Sequence, residues 1–103
     1  MSVDAFAIEQ TGPGRLEVSG TLSFETAAAA LRGGTRLIGS AGGPCTIGLS
    51  RVAMGDSAGL AVLLEWLAVA RAKGTSIRYD SVPDQILAIA RISDVQDLLT
   101  TGT

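Results

Sequence analysis

At 103 residues, with 47% hydrophobic and only 17% charged side chains, the chain has the size and composition of one globular domain, expected to run over 1–103. Eight Lys and Arg against ten Asp and Glu give a formal charge of −2 with no basic cluster, which argues against a nucleic-acid partner. With no His and a single Cys, the chain cannot build a Ser-His-Asp or Cys-His catalytic set, a His-ligated metal site or an internal disulfide, and no metal or cofactor is expected.

Met1–Asp4 has neither the basic flank nor the apolar core of a signal peptide. Two short segments with partial two-residue alternation, 5–9 and 15–19, flank Gln10-Thr11-Gly12-Pro13-Gly14 and predict a hairpin. Ser23 is placed to cap a first helix that takes in Ala27–Leu31, and Gly33-Gly34 is expected to break it or loosen its second half. After the loop-like 39–44, Cys45–Leu49 reads as a central strand, apolar on both faces. Ser57–Lys73 is the clearest element, a long helix capped by Asp56 and stopped by Gly74 with Arg71 and Lys73 in its last turn. A fourth strand is expected at 75–79, a helix opened by Pro83 through about Arg91, and a short terminal helix to Leu99 behind a Ser93/Gln96 capping box. The order predicts an α/β fold, a mixed four-stranded sheet covered by helices. The apolar stretch 58–64 ends at Glu65, far short of a membrane span, so a cytosolic protein without direct membrane insertion is expected.

One motif looks like chemistry. Gly55-Asp56-Ser57-Ala58-Gly59 matches the G-x-S-x-G of a nucleophile elbow and lies where a strand passes into a helix. An elbow serine needs a base. The chain has no His, and its only lysine, Lys73, follows at the far end of the same helix, roughly 24 Å away at 1.5 Å per residue. Catalysis is therefore not expected. Asp56 reads instead as an N-cap, and Ser57 as a hydroxyl at a helix start, where free N–H groups favour a phosphate or a partner's acceptor.

On a helical wheel Gly59, Leu63, Trp66, Leu67 and Ala70 share one broad face, the expected core side. Opposite lie Ser57, Ala61, Leu64, Glu65, Ala68, Arg71 and Ala72, mostly small residues that let another backbone approach, with Leu64 as an apolar anchor. Trp66, Phe6, Phe24 and Tyr79 read as packing residues, with no aromatic platform for bases.

The stretch Leu49-Ser50-Arg51-Val52, then Asp56–Leu64, then Arg71-Ala72-Lys73-Gly74 resembles the central segment of a STAS domain, and the element order is the STAS order over nearly the whole chain. Within that family Gly20–Ala28, Glu65-Trp66-Leu67 and the tail Ala88–Val95 with Leu98-Leu99 look most like the MlaB branch. The resemblance implies a non-enzymatic subunit that binds and stabilises the ATPase, of MlaF type, of a phospholipid ABC transporter maintaining outer-membrane lipid asymmetry. Such a subunit is held at the inner membrane through its partners, the ATPase and the permease complex. Asp56, Ser57, Ala58, Ala61, Leu64, Glu65 and Ala68 are the candidate contact residues. The alternative within the family is an anti-sigma-factor antagonist switched by phosphorylation at Ser57. Gly48, where such antagonists usually carry an acidic residue, and Ala58, where they often carry a second hydroxyl, depart from that pattern.

Overall fold

The computed structural model describes residues 5–101, so the Met1–Asp4 reading lies outside the described residues. The chain runs β1 (Phe6–Gly12), β2 (Arg15–Leu22), α1 (Ala27–Ser40), β3 (Cys45–Gly55), α2 (Ser57–Ala72), β4 (Ile77–Asp80), α3 (Asp84–Ile92) and α4 (Gln96–Thr101). The sheet order is β1-β2-β3-β4. The β1–β2 hairpin is antiparallel and turns at Pro13-Gly14, where Gly14 takes the positive φ of 66° that such a turn requires. Strands β2, β3 and β4 pair in parallel, because each later connection carries a helix across the sheet. This is the mixed α/β sheet expected.

Alternation decides which face is covered. Leu16 and Val18 on β2, Cys45, Ile47 and Leu49 on β3, and Ile77 and Tyr79 on β4 are buried in one cluster that also holds Trp66, Ile86, Ala90 and Leu99 from the helices. The alternate positions Arg15, Glu17, Thr46, Arg78 and Asp80 are polar. Strand β3 is central, as expected, but its second face is polar with Gly48 beneath an ion-paired network rather than apolar. Arg15 donates to Glu17 at 2.7 Å and to Asp80 at 3.1 Å, and a Cβ on Gly48 would meet the Glu17 carboxylate at 2.5 Å. The Arg15 hydrogen bond, with a second from Ser81, holds the Asp80 carboxyl below the usual range.

Four further expectations are corrected. Helix α1 starts three residues later than a Ser23 cap implies: Thr26 is its N-cap, and the Thr26 hydroxyl accepts from Ser23 N–H at 3.0 Å and donates to Thr21 O at 2.7 Å. That hydrogen-bonded turn uses up Ser23 before the helix begins. The Gly33-Gly34 pair does not break α1, because the space above Gly34 is filled by the indole of Trp66, within 2.2 Å of where a Cβ would stand. Strand β3 extends to Gly55, since β2 continues beside it as far as Leu22. Ser93 caps no helix start. It is the C-cap of α3, followed by Asp94 at φ 60°, and Leu98 N–H is taken by Val95 O at 3.1 Å.

Trp66 is fully buried and its indole N–H donates to Ala30 O at 3.2 Å, which pins α1 to α2. Tyr79 donates from its hydroxyl to Leu63 O at 2.6 Å and ties α2 to the sheet. Among the described residues no helix is long and apolar enough to cross a membrane.

Candidate functional site

The candidate residues sit on α2 and the strand end that feeds it. Asp56 leaves β3 in an extended conformation and its carboxylate accepts from Ala58 N–H at 2.9 Å and Gly59 N–H at 3.1 Å, the N-cap arrangement expected from the sequence. Its other oxygen accepts from Phe24 N–H at 3.3 Å, and its own N–H donates to Leu22 O at 3.2 Å. The start of α2 is thus fastened to the β2–α1 turn. Gly59 is required there, since a Cβ would stand 2.2 Å from Leu22 O.

Ser57 is the first residue of α2 and exposed. Two of the N–H groups beyond it are already taken by Asp56, so the helix start is less open to an anion than the bare pattern suggests. Lys73, the chain's only lysine, is the C-cap at the opposite end of the helix from Ser57 and so is out of reach as a base for an elbow nucleophile.

The wheel orientation holds. Gly59, Leu63, Trp66, Leu67 and Ala70 are buried, joined by Leu60 and Val62, while Ser57, Ala61, Glu65, Ala68, Arg71 and Ala72 are exposed. Leu64 differs from its expected role as a free anchor. It is half-buried and packed against the core cluster, because the buried arc of α2 spans both the sheet side and the α1 side.

The small side chains have a structural consequence. Where Ala58, Ala61 and Glu65 face α1, they and Ala27, Leu31 and Thr35 line a shallow, largely apolar groove of about 560 Å³ between the two helices. Leu64 and Ala68 are not among the residues that line it. The Trp66–Ala30 hydrogen bond and the Gly34–Trp66 contact set the spacing of the helices beneath it.

At the α2 start the structure adds one residue that sequence reasoning misplaced, Phe24, and one that it left unassigned, Met54. Phe24, expected to pack, is 80% exposed, and Met54 at the end of β3 is 56% exposed. The reason is the Ser23–Thr26 turn: its hydroxyl and backbone bonds hold the loop without any help from the Phe24 ring. Thr21, Ser23, Glu25, Met54 and Asp56 line a second, smaller cavity of about 310 Å³. The sequence signal was a pattern break: a Phe between Ser and Glu in a turn, and a Met at the end of a strand whose alternation had already ceased.

Comparison with known proteins identifies the frame. A family model described as "Mlab, STAS domain" matches residues 6–100, and the chain belongs to that STAS-domain family. No curated protein matches it in sequence. Among solved structures it is similar to the Bacillus cell fate determinant SpoIIAA in its phosphorylated form (15% identity, 88% of this chain and 85% of that one, TM-score 0.66). It is also similar to a Thermotoga maritima protein of the anti-sigma factor antagonist type (15%, 92% and 83%, TM-score 0.71) and to a sulfate transporter family protein from Wolinella succinogenes (20%, 98% and 84%, TM-score 0.65). At these identities the likeness is one of fold.

Proposed function

We propose that this chain is a non-enzymatic accessory subunit of MlaB type, which binds and stabilises the ATPase of a phospholipid ABC transporter through the exposed side of α2. The observation that carries the reading is the face itself: Ser57, Ala61, Glu65 and Ala68 are exposed on a helix whose small side chains open an apolar groove against α1. A helix kept only for solubility carries longer charged residues, whereas a row of alanines beside a groove admits a partner element to close range. The family match over 6–100 supports the same assignment. In this reading the protein works in the cytoplasm, at the inner membrane only through the ATPase and the permease complex.

Tagged protein expressed together with the transporter's ATPase and permease should co-purify with the ATPase. Elution of the tagged protein without it would overturn the proposal, and capture of a serine kinase that phosphorylates Ser57 would replace it with the switched antagonist.

A further inference from the structure

We propose that the uncovered face of the sheet is an interface between two copies of this chain, stacked back to back with Arg78 of each copy against Asp80 of the other. The inference goes beyond the docking reading and does not depend on it, because α2 lies on the opposite side of the sheet. Parallel strands are ordinarily covered on both faces. Here β2, β3 and β4 are parallel, yet all four helices contribute to one cluster with the inward strand residues, and among the described residues none is left to cover the face that carries Glu17, Thr46, Arg78 and Asp80.

The charges on that face supply the independent observation, because they form two rows. The register sets Glu9, Glu17, Gly48 and Asp80 side by side across β1 to β4, and Gly12, Arg15, Thr46 and Arg78 in the adjoining row. One row is acidic and the other basic. Arg15 is bonded within the chain to Glu17 and Asp80, whereas Arg78 is exposed and, among the described residues, has no ion pair. Asp80 accepts from Arg15 and from the Ser81 hydroxyl, and its side chain stays 49% exposed, so its carboxylate has room for a further donor.

Such a pattern is complementary to a second copy of itself. A two-fold axis running across the strands between the two rows sets the acidic row of each copy over the basic row of the other, so that Asp80 meets Arg78 and Glu17 meets Arg15. An axis along the strands would exchange β1 with β4 and set Glu9 over Asp80, like charge on like, which disfavours that orientation. The centre of the face is low, since Gly48 has no side chain and the Arg15 and Glu17 side chains lie over it. Strands of 7, 8, 11 and 4 residues, at ~3.3 Å along and ~4.8 Å across per residue, present roughly 500 Å² per copy and roughly 1,000 Å² for the pair. That area is at the low end of specific interfaces, so the dimer is weak and sensitive to salt. Both α2 faces point outward from it.

Analytical ultracentrifugation of the purified chain, from micromolar to millimolar concentration in low salt, should show a monomer–dimer equilibrium that high salt shifts toward monomer. Arg78→Glu and Asp80→Arg, each checked for an unchanged fold by circular dichroism, should each weaken the dimer at least ~tenfold, because like charges then face each other at both symmetry-related contacts. Mixed in equal amounts, the two variants should pair with each other, since each then offers the charge that the other faces. A mixture that stays monomeric would overturn the proposal. So would a wild-type protein that is monomeric throughout, or a dimer that both variants leave intact, which would place the contact elsewhere. A monomeric wild type whose binding to the ATPase is weakened by Arg78→Glu would give this face to the ATPase and overturn the second copy as its occupant. The docking reading is tested separately by Ala61→Arg, on the other side of the sheet.

Discussion

Replacing Gly34 by Ala sets two effects of known size against each other. An alanine in a helix interior is favoured over glycine by about 1 kcal/mol, so propensity alone predicts a more stable α1. Against this, the new Cβ would stand 2.2 Å from the indole of Trp66, where ordinary contact begins at about 3.4 Å, and the ring is fully buried. Overpacking of this kind costs about 1–3 kcal/mol. Moving the indole also strains its 3.2 Å bond to Ala30 O, and a buried donor left unsatisfied costs a further ~1–3 kcal/mol. The net expectation is a loss of about 1–5 kcal/mol, which for a domain of this size lowers Tm by at least ~4 °C. Gly33→Ala is the internal control. Its Cβ would meet the Ile8 Cγ2 methyl at 3.1 Å and the Phe6 ring at 3.8 Å, a much milder crowding that the helix propensity of alanine offsets, so it should lose far less stability than Gly34→Ala. Thermal melts by circular dichroism on both variants give the comparison, and the single Trp reports the site by fluorescence. A Gly34→Ala protein as stable as the wild type, with unshifted Trp66 emission, would refute the packing that spaces α1 from α2 under the groove.

Other outcomes follow from the same structure. Burial pushes the Tyr79 phenol well above its ordinary value of 10, so the folded state resists its ionisation. Because this raised group keeps its proton longer when folded than unfolded, its stabilisation is complete below pH ~10 and declines as pH rises beyond that. Urea melts from pH 8 to 11 should show that decline, and Tyr79→Phe should flatten it at the cost of the bond to Leu63 O. Asp56→Ala removes an N-cap with three backbone N–H partners and should cost about 0.5–2 kcal/mol by urea melts. Ser57→Asp should keep its melting temperature, since an anion at a helix start is worth at most ~1 kcal/mol and Asp56 already holds that position. The same variant should lose much of its affinity for the ATPase in titration, because the added charge must be desolvated in the interface.

Much of this architecture was legible in the sequence, for reasons that can be named. Helix α2 has an N-cap in Asp56, a stop in Gly74 and a face of apolar residues at helical spacing, and each survives folding because the whole arc from Gly59 to Ala70 is buried in one core. What failed was local grammar overruled by tertiary contact. Glycine in α1 reads as a breaker until Trp66, 32 residues later, is seen to need the room. Ser23 and Ser93 look like caps in isolation, but Thr26 and the left-handed Asp94 impose different turns. Phe24 reads as packing by composition, whereas the hydrogen bonds of its turn leave it in solvent. The candidate stripe came from spacing on one helix. The groove beside it and the Thr21–Glu25–Asp56 cavity required neighbours on β2, β3 and α1 that no periodicity in α2 encodes.

The central claim is that the exposed face of α2 is the docking surface for the ATPase, and the most direct measurement is a calorimetric titration of the purified ATPase subunit with wild-type protein and with Ala61→Arg. Ala61 is exposed and lines the groove, so its replacement should leave the melt unchanged. The account predicts a saturable one-to-one complex for the wild type and a loss of at least ~100-fold in affinity for Ala61→Arg, as for truncation or blockage of an interface centre. Equal affinity of the two proteins, at equal stability, would contradict it.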